Sequence, residues 1–290
     1  MDFFLTLIIS GLMTGVIYGL VAVGFVLIFK ASGVFNLAQG EMLLLGAYLV
    51  WMFIVPFGFP VWLAIIAGLA ASFLLGWLTQ RVFLQPLLGE SMLALIMATI
   101  ALGQFFRGVV AFTWGSQPRP YAAILPSMPF ELGNLVLSRE HLYGAAISAV
   151  LLLALAIFFR YSRWGLAMRG VAEGHQIVRS MGVSVKTIIA LSWGIAAIVA
   201  TVGGVIIGSI SGFSQNLAVM GIFAIPAAFI GGLNSIPGAI VGGLLVGLVE
   251  SLASGYIGMG SGTAVAFILL IVVMIFRPHG LWGLVTIERV

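Results

Sequence analysis

The sequence contains no cysteine, only three histidines, and charged residues at just 7% of its 290 positions. Without cysteine there is no disulfide, no thiolate metal site and no cysteine nucleophile. The histidines, His141, His175 and His279, fall in different connections and make no metal-ligand spacing. Neither Lys30 nor Lys186 follows a glycine, so no G-x-x-x-x-G-K-[ST] phosphate loop can be drawn and the chain does not bind ATP by that route. A nucleophile elbow and a zinc-protease helix are also missing, which argues against an enzyme and implies no metal or cofactor in this chain. The net charge of +4 implies no nucleic-acid partner, because basic residues in so apolar a chain mainly set membrane orientation.

What is present is hydrocarbon. The chain is 62% hydrophobic, with a mean hydropathy of +1.25, whereas soluble domains carry charge at roughly 25% of positions. An apolar helix of about 20 residues crosses a bilayer core. Apolar runs bounded by polar, proline or glycine breaks predict spans at residues 3–29, 41–55, 61–79, 91–113, 141–159, 187–210, 217–230, 236–256 and 262–276. The runs are continuous, not alternating, so helices and not a barrel satisfy the backbone. The predicted fold is an all-α polytopic membrane protein of eight or nine helices, forming one transmembrane domain over residues 1–290. The first run lacks a basic leader and a small-residue cleavage site, so it reads as a span, not a signal peptide.

Placing the basic connection at about residues 160–186 in the cytoplasm fixes the other connections by alternation. Lys30, Arg81, Arg160, Arg163, Arg169, Arg179, Lys186, Arg277 and Arg289 then lie inside, and Arg119 and Arg139 outside. This obeys the positive-inside rule and puts the N-terminus outside and the C-terminus in the cytoplasm. The tryptophans also fall near predicted span ends, as interfacial rings do.

Gly11, Gly15 and Gly19 form a smooth ridge on the first helix, as do Gly204 with Gly208, Gly238 with Gly242 and Gly243 with Gly247. Such ridges let helix backbones approach closely. Two polar breaks, residues 31–40 and 231–238, are either broken helices lining a pathway or ordinary turns. Within spans, Arg107 and Glu250 each lie six residues from the outer end, which predicts an ion pair between the fourth and eighth spans. Residues 170–181 are expected to form a short cytoplasmic helix carrying Glu173 and Arg179, stopped by Gly182, with Ser184 capping the next span.

Taken in order, these segments resemble the permease family of branched-chain amino-acid ABC importers, within a larger group that includes urea, amide and simple-sugar permeases. The resemblance covers nearly the whole chain. It rests on Gly11-Leu12, Gly15, Tyr18-Gly19-Leu20 and the run from Gly24 to Phe29, then on the segment from Gly33 to Glu41 and on Leu45-Gly46-Ala47-Tyr48. It continues in Ala172-Glu173 with Met181-Gly182-Val183, in Gly231-Gly232 with Ser235-Ile236-Pro237-Gly238-Ala239, in Gly242-Gly243, Gly247 and Glu250, and in the tail from Arg277 to Gly283. Gln39 stands where the family often has histidine, and Gly174-His175 replaces an acidic residue that often follows the Ala-Glu pair.

The resemblance implies the smaller of two permease subunits in the cytoplasmic (inner) membrane of a bacterium. Its expected partners are a second related permease, two ATPase subunits that bind the ATP, an extracytoplasmic solute-binding protein and the lipid bilayer. Ala172, Glu173, Arg179 and Gly182 are the expected coupling residues, and Asn36, Gln39, Asn234 and Ser235 the expected pathway residues. The outer loop from Gln117 to Glu140 is the expected landing surface for the binding protein. Urea or a short amide is the competing cargo, and an ATPase-independent channel or carrier the competing class.

Overall fold

The computed structural model describes residues 2–119, 124–125, 130–132, 135–173, 178, 182–258 and 260–283. Long helices are α1 (Asp2–Ser32), α3 (Val61–Thr79), α4 (Met92–Trp114), α5 (Arg139–Tyr161), α7 (Val185–Ser211) and α10 (Ile236–Tyr256). Shorter ones are α2 (Gln39–Ile54), α6 (Arg163–Glu173), α8 (Leu217–Ile222), α9 (Ala224–Gly231) and α11 (Ser261–Phe276). A small antiparallel hairpin, β1 (Phe130–Leu132) and β2 (Leu135–Leu137), interrupts the connection before α5. Six helices are long and apolar enough to cross a membrane, and three shorter apolar segments stand beside them. The all-α polytopic fold expected from the sequence is therefore present.

Helix starts follow the local chemistry. The hydroxyls of Ser91, Ser184 and Ser235 accept hydrogen bonds from the backbone N–H groups of Ala94, Thr187 and Gly238, capping α4, α7 and α10. Pro237 sits in the first turn of α10, where its missing N–H leaves no gap.

The centre is built from α1, α2, α7 and α10, with α3 packed on α7 and α10 on α1. The contact between α1 and α10 is backbone to backbone. Gly11, Gly15 and Gly19 face Gly243, Gly247 and their neighbours so closely that a Cβ on Gly15 would sit 2.7 Å from the Leu244 Cα. The glycine ridges thus pack within the chain. Around this centre, α3, α4, α5 and α11 expose apolar side chains such as Ile66, Phe112, Val150 and Ile275, a surface suited to lipid tails.

The first polar break is no surface turn. Asn36 and Gln39 are fully buried, and the Leu37 N–H reaches the Thr99 hydroxyl at 3.4 Å. Thr99 lies seven residues into α4, about 10 Å along its axis at 1.5 Å per residue. Helix α2 therefore begins inside the layer, which is why 16 residues take it to the far side. The predicted seventh span, 217–230, is divided: the helix breaks at Phe223 into α8 and α9, and residues 212–216 before it are not helical.

These two irregular segments are related. Each follows a long helix, opens with a glycine at positive φ (Gly33 +70°, Gly212 +84°), carries Asn-Leu-Ala (residues 36–38 and 216–218), and leads into a short helix. Gln39 N–H bonds Asn36 O, and Val219 N–H bonds Asn216 O, at the same offset. Since α10 packs on α1 as α3 packs on α7, and alternation makes α1 and α7 antiparallel, the two halves form an inverted repeat. Gly40 and Gly221 touch where the halves cross.

Two of the tryptophans face protein and not lipid. Trp193 is buried in the core, and Trp51 stacks on Phe213 beneath the loop, because these helices lie at the centre of the bundle.

Candidate functional site

Four sets of residues bear on function. The first is the buried hub at the α1–α2 break. Asn36 donates from Nδ2 to Gln39 Oε1 at 3.1 Å and accepts the Ala38 N–H at 3.1 Å. Gln39 Nε2 donates to the Ala196 carbonyl of α7 at 3.3 Å. Both side chains, expected along the pathway, are here engaged with each other and with α7, and tie one half of the repeat to the other. Buried amides so satisfied fix a unique packing, and losing one partner strands the other.

Beside the hub, Arg107 donates from an η-nitrogen to Glu41 Oε1 at 3.1 Å. This corrects the pairing expected from sequence: Arg107 is bound to Glu41 and not to Glu250. The predicted second span only begins at Glu41, but α2 starts within the layer and carries this residue to the depth of Arg107. Exchanging the charges tests the pair. Glu41→Arg and Arg107→Glu alone are each expected to lower the yield of folded protein several-fold, and the double exchange to recover at least half of it. Yields from the double exchange no better than from the single changes would refute the pairing.

The second site is on the basic face, the end of the bundle bearing Lys30, Arg160 and Lys186. The tail folds back here. Leu281 and Trp282 donate backbone N–H bonds to Ile230 O at 2.8 Å and Gly231 O at 3.1 Å. Gly232 (φ +103°) and Gly280 (φ +78°) meet backbone to backbone, so two of the sequence motifs form one joint. Asn234 lines a pocket of about 220 Å³ with Phe29, Phe229 and His279. Ser235, its neighbour, is the cap of α10.

The third is α6, on the same face. It spans Arg163–Glu173 and so takes in the first four residues of the helix expected at 170–181, of which only Val178 is otherwise among the described residues. Ser162 caps its start, accepting the Gly165 N–H at 2.8 Å. Met168 and Val171 are buried, and the helix packs on α1, α5 and α7, leaving Trp164, Leu166 and Arg169 exposed. Ala172 and Glu173 end it, while Arg179 lies outside the described residues. Gly182 closes the following turn at φ +78°, with the Val183 N–H reaching back to Val178 O at 3.3 Å, a glycine-stopped helix end.

The fourth, at the opposite end of the bundle, was not anticipated. A cavity of about 330 Å³ opens among α1, α5, α7, α8 and α10, lined by Ser10, Thr14, Tyr18, His141, Glu250 and Ser254 among others. Tyr18 and Glu250 face the same space. Glu250 Oε2 and His141 Nδ1 are buried without a hydrogen-bond partner. The signal lay in the sequence: Ser10, Thr14 and Tyr18 recur every fourth residue, one place ahead of Gly11, Gly15 and Gly19. That spacing puts them on one helix face. Of the expected landing loop, Arg119 is tied down, bonding Phe213 O through its N–H at 2.8 Å and Trp114 O through its guanidinium at 2.6 Å; residues 120–123, 126–129 and 133–134 of the loop lie outside the described residues.

The profile of the family described as "Branched-chain amino acid transport system / permease component" matches residues 7–276. The chain belongs to this family of transport permeases. It is 32% identical over 308 aligned residues to the protein named "High-affinity branched-chain amino acid transport system permease protein LivH" of Escherichia coli (strain K12), covering 99% of this chain and 98% of that one. A similar protein of Pseudomonas aeruginosa, BraD, is 31% identical over 307 residues with the same coverage. "Probable branched-chain amino acid transport permease protein LivH" of Methanocaldococcus jannaschii is 26% identical over 283 residues, with 91% and 88% covered. Among solved structures, a chain of "PsaBC from Streptococcus pneumoniae in complex with Fab" shares the fold with a TM-score of 0.50 at 14% identity, over 94% of this chain and 92% of that one. The permease is thus a multi-pass membrane protein whose relatives match it from end to end.

Proposed function

We propose that this permease is one of two membrane subunits of an ATP-driven importer that carries branched-chain or related amino acids across the cytoplasmic membrane. The reading rests on the near full-length relationship to LivH and BraD. In it, the basic face lies in the cytoplasm, with the N-terminus outside and the C-terminus inside, as the bias of Lys and Arg favours. A second related permease completes the pathway, two ATPase subunits bind ATP beneath α6, and a solute-binding protein delivers cargo from the far side. The end of α6, with Ala172, Glu173, Arg179 and Gly182, is the docking segment. Asn234, in its pocket on the basic face, borders the inner exit.

Closure of the ATPases would push α6. Because Met168 and Val171 root that helix among α1, α5 and α7, the push is transmitted to both halves of the inverted repeat and rocks one against the other, a two-state motion biased by nucleotide.

Affinity purification of the tagged permease from its native membranes, with mass spectrometry of what accompanies it, is expected to return a second permease and ATPase chains. The complex reconstituted with its binding protein is expected to take up radiolabelled leucine only when ATP is present, and to leave urea outside. Recovery of the chain alone, moving solute without ATP, would overturn the reading in favour of a channel or carrier.

A further inference from the structure

The cavity between α1, α5, α7 and α10 lies at the end opposite α6, where the two halves of the repeat meet, and its chemistry is asymmetric. Glu250 supplies a carboxylate six residues inside the end of α10, about 9 Å along the helix. No lysine or arginine is among the described residues lining the cavity. The other carboxylate held within the described spans, Glu41, already has its cation in Arg107. A carboxylate in a hydrocarbon layer is expensive without a countercharge.

Around Glu250 the lining is rich in hydrogen-bonding oxygen. Ser10, Thr14, Tyr18, Ser211, Ser251 and Ser254 present hydroxyls. Ser251 already donates to the Leu7 carbonyl at 2.8 Å, so its remaining capacity is as an acceptor. Oε2 of Glu250 and Nδ1 of His141 are buried and unpartnered. A site with one negative charge and a surplus of acceptors complements a group with one positive charge and only donors, and among common ligand groups the primary ammonium, with three N–H donors and no acceptor, is that group. The volume, about 330 Å³, falls in the range of small-molecule pockets, and the apolar wall from Ile17, Ile207, Ile210 and Met220 suits an aliphatic chain attached to the ammonium.

The geometry points to a subsite for an aliphatic primary ammonium, with Glu250 as its countercharge. On the import reading, this group is the amino end of the cargo, held by the permease after release from the binding protein. The subsite lends the permease a selectivity of its own, against acids and uncharged amides.

Binding of radiolabelled 3-methylbutylammonium to the purified chain in lipid nanodiscs tests this without any binding protein. Saturable binding is expected, weakened at least tenfold by Glu250→Gln and several-fold by Tyr18→Phe, with 4-methylpentanoate and potassium ions failing to compete. Tyr18→Phe retains the ring and so keeps the test alive if Glu250→Gln does not fold. Absence of saturable binding, equal binding by the folded variants, or equal competition by potassium would each overturn the subsite. ATP-dependent leucine uptake by the reconstituted wild-type complex is measured separately. Uptake with no ammonium binding would sink the subsite alone; ammonium binding with no uptake would keep the ammonium site and remove its role in import.

Discussion

Gly247→Val is expected to leave less than a tenth of the wild-type amount of monodisperse permease after extraction in mild detergent. A Cβ at residue 247 would lie 2.5 Å from both the Gly11 carbonyl oxygen and the Gly15 Cα. These are backbone atoms of α1, so no side chain can rotate out of the way. Relief requires α1 and α10 to separate along their shared length, and that contact joins the two halves of the repeat. Even methylenes forced into a packed core that can adjust by rotamer cost about 1–3 kcal/mol, and here that adjustment is missing. Helix association in lipid draws on close packing without a hydrophobic drive, so the loss has no compensation. Gly247→Ala should fall between, with a lowered thermal unfolding midpoint. Gly108→Ala, where a Cβ meets nothing within 4 Å, should behave as wild type. A Gly247→Val protein with normal yield and midpoint would refute the close contact.

The same contact shows what was legible in the sequence. Glycines at four-residue spacing and unbroken apolar runs report local geometry; α10 (Ile236–Tyr256) begins and ends where the apolar pattern does, while α3 begins with it at Val61 and its helical path runs on past Thr79 to Leu87. Depth was not legible. Hydropathy counts residues along the chain and has no measure of where in the bilayer a helix starts, so whether α2 begins at the surface or inside the layer stayed open. Its start inside the layer moved Glu41 to Arg107 and left Glu250 for a different environment. The division of the seventh span was hidden because residues 217–230 form one apolar run, in which the turn at Phe223 carries no polar mark.

Of the candidate residues, those defined by backbone were the more readable. Gly182 announces a left-handed helix end by composition alone. Asn36 and Gln39 are polar residues in an apolar context, and the sequence cannot say whether such a residue faces a pathway or a partner amide; the partner, the Ala196 carbonyl, is 157 residues away. The cavity at Glu250 needed three helices brought together before its hydroxyls became one surface, although the stripe of Ser10, Thr14 and Tyr18 was visible on α1.

Replacing Ala172 with arginine and Glu173 with lysine together is expected to cut ATP-dependent uptake by the reconstituted importer at least tenfold while leaving the permease folded. Both positions end α6 beyond Val171, the last residue on its buried side. The substitutions reverse the charge of the proposed docking tip without touching the Met168 and Val171 anchors. If α6 is the lever, the changed tip fails to engage, and ATP hydrolysis by the associated ATPases loses its stimulation by loaded binding protein. The ammonium site lies at the far end of the bundle, so binding of 3-methylbutylammonium should be unchanged, which separates uncoupling from misfolding. Truncating the anchor by Val171→Ala should do something different: α6 stays able to dock but transmits less, so ATP hydrolysis persists while solute carried per ATP falls. Uptake by the Ala172→Arg, Glu173→Lys protein at the wild-type rate would remove α6 from the transmission path and place the ATPase contact elsewhere on the basic face.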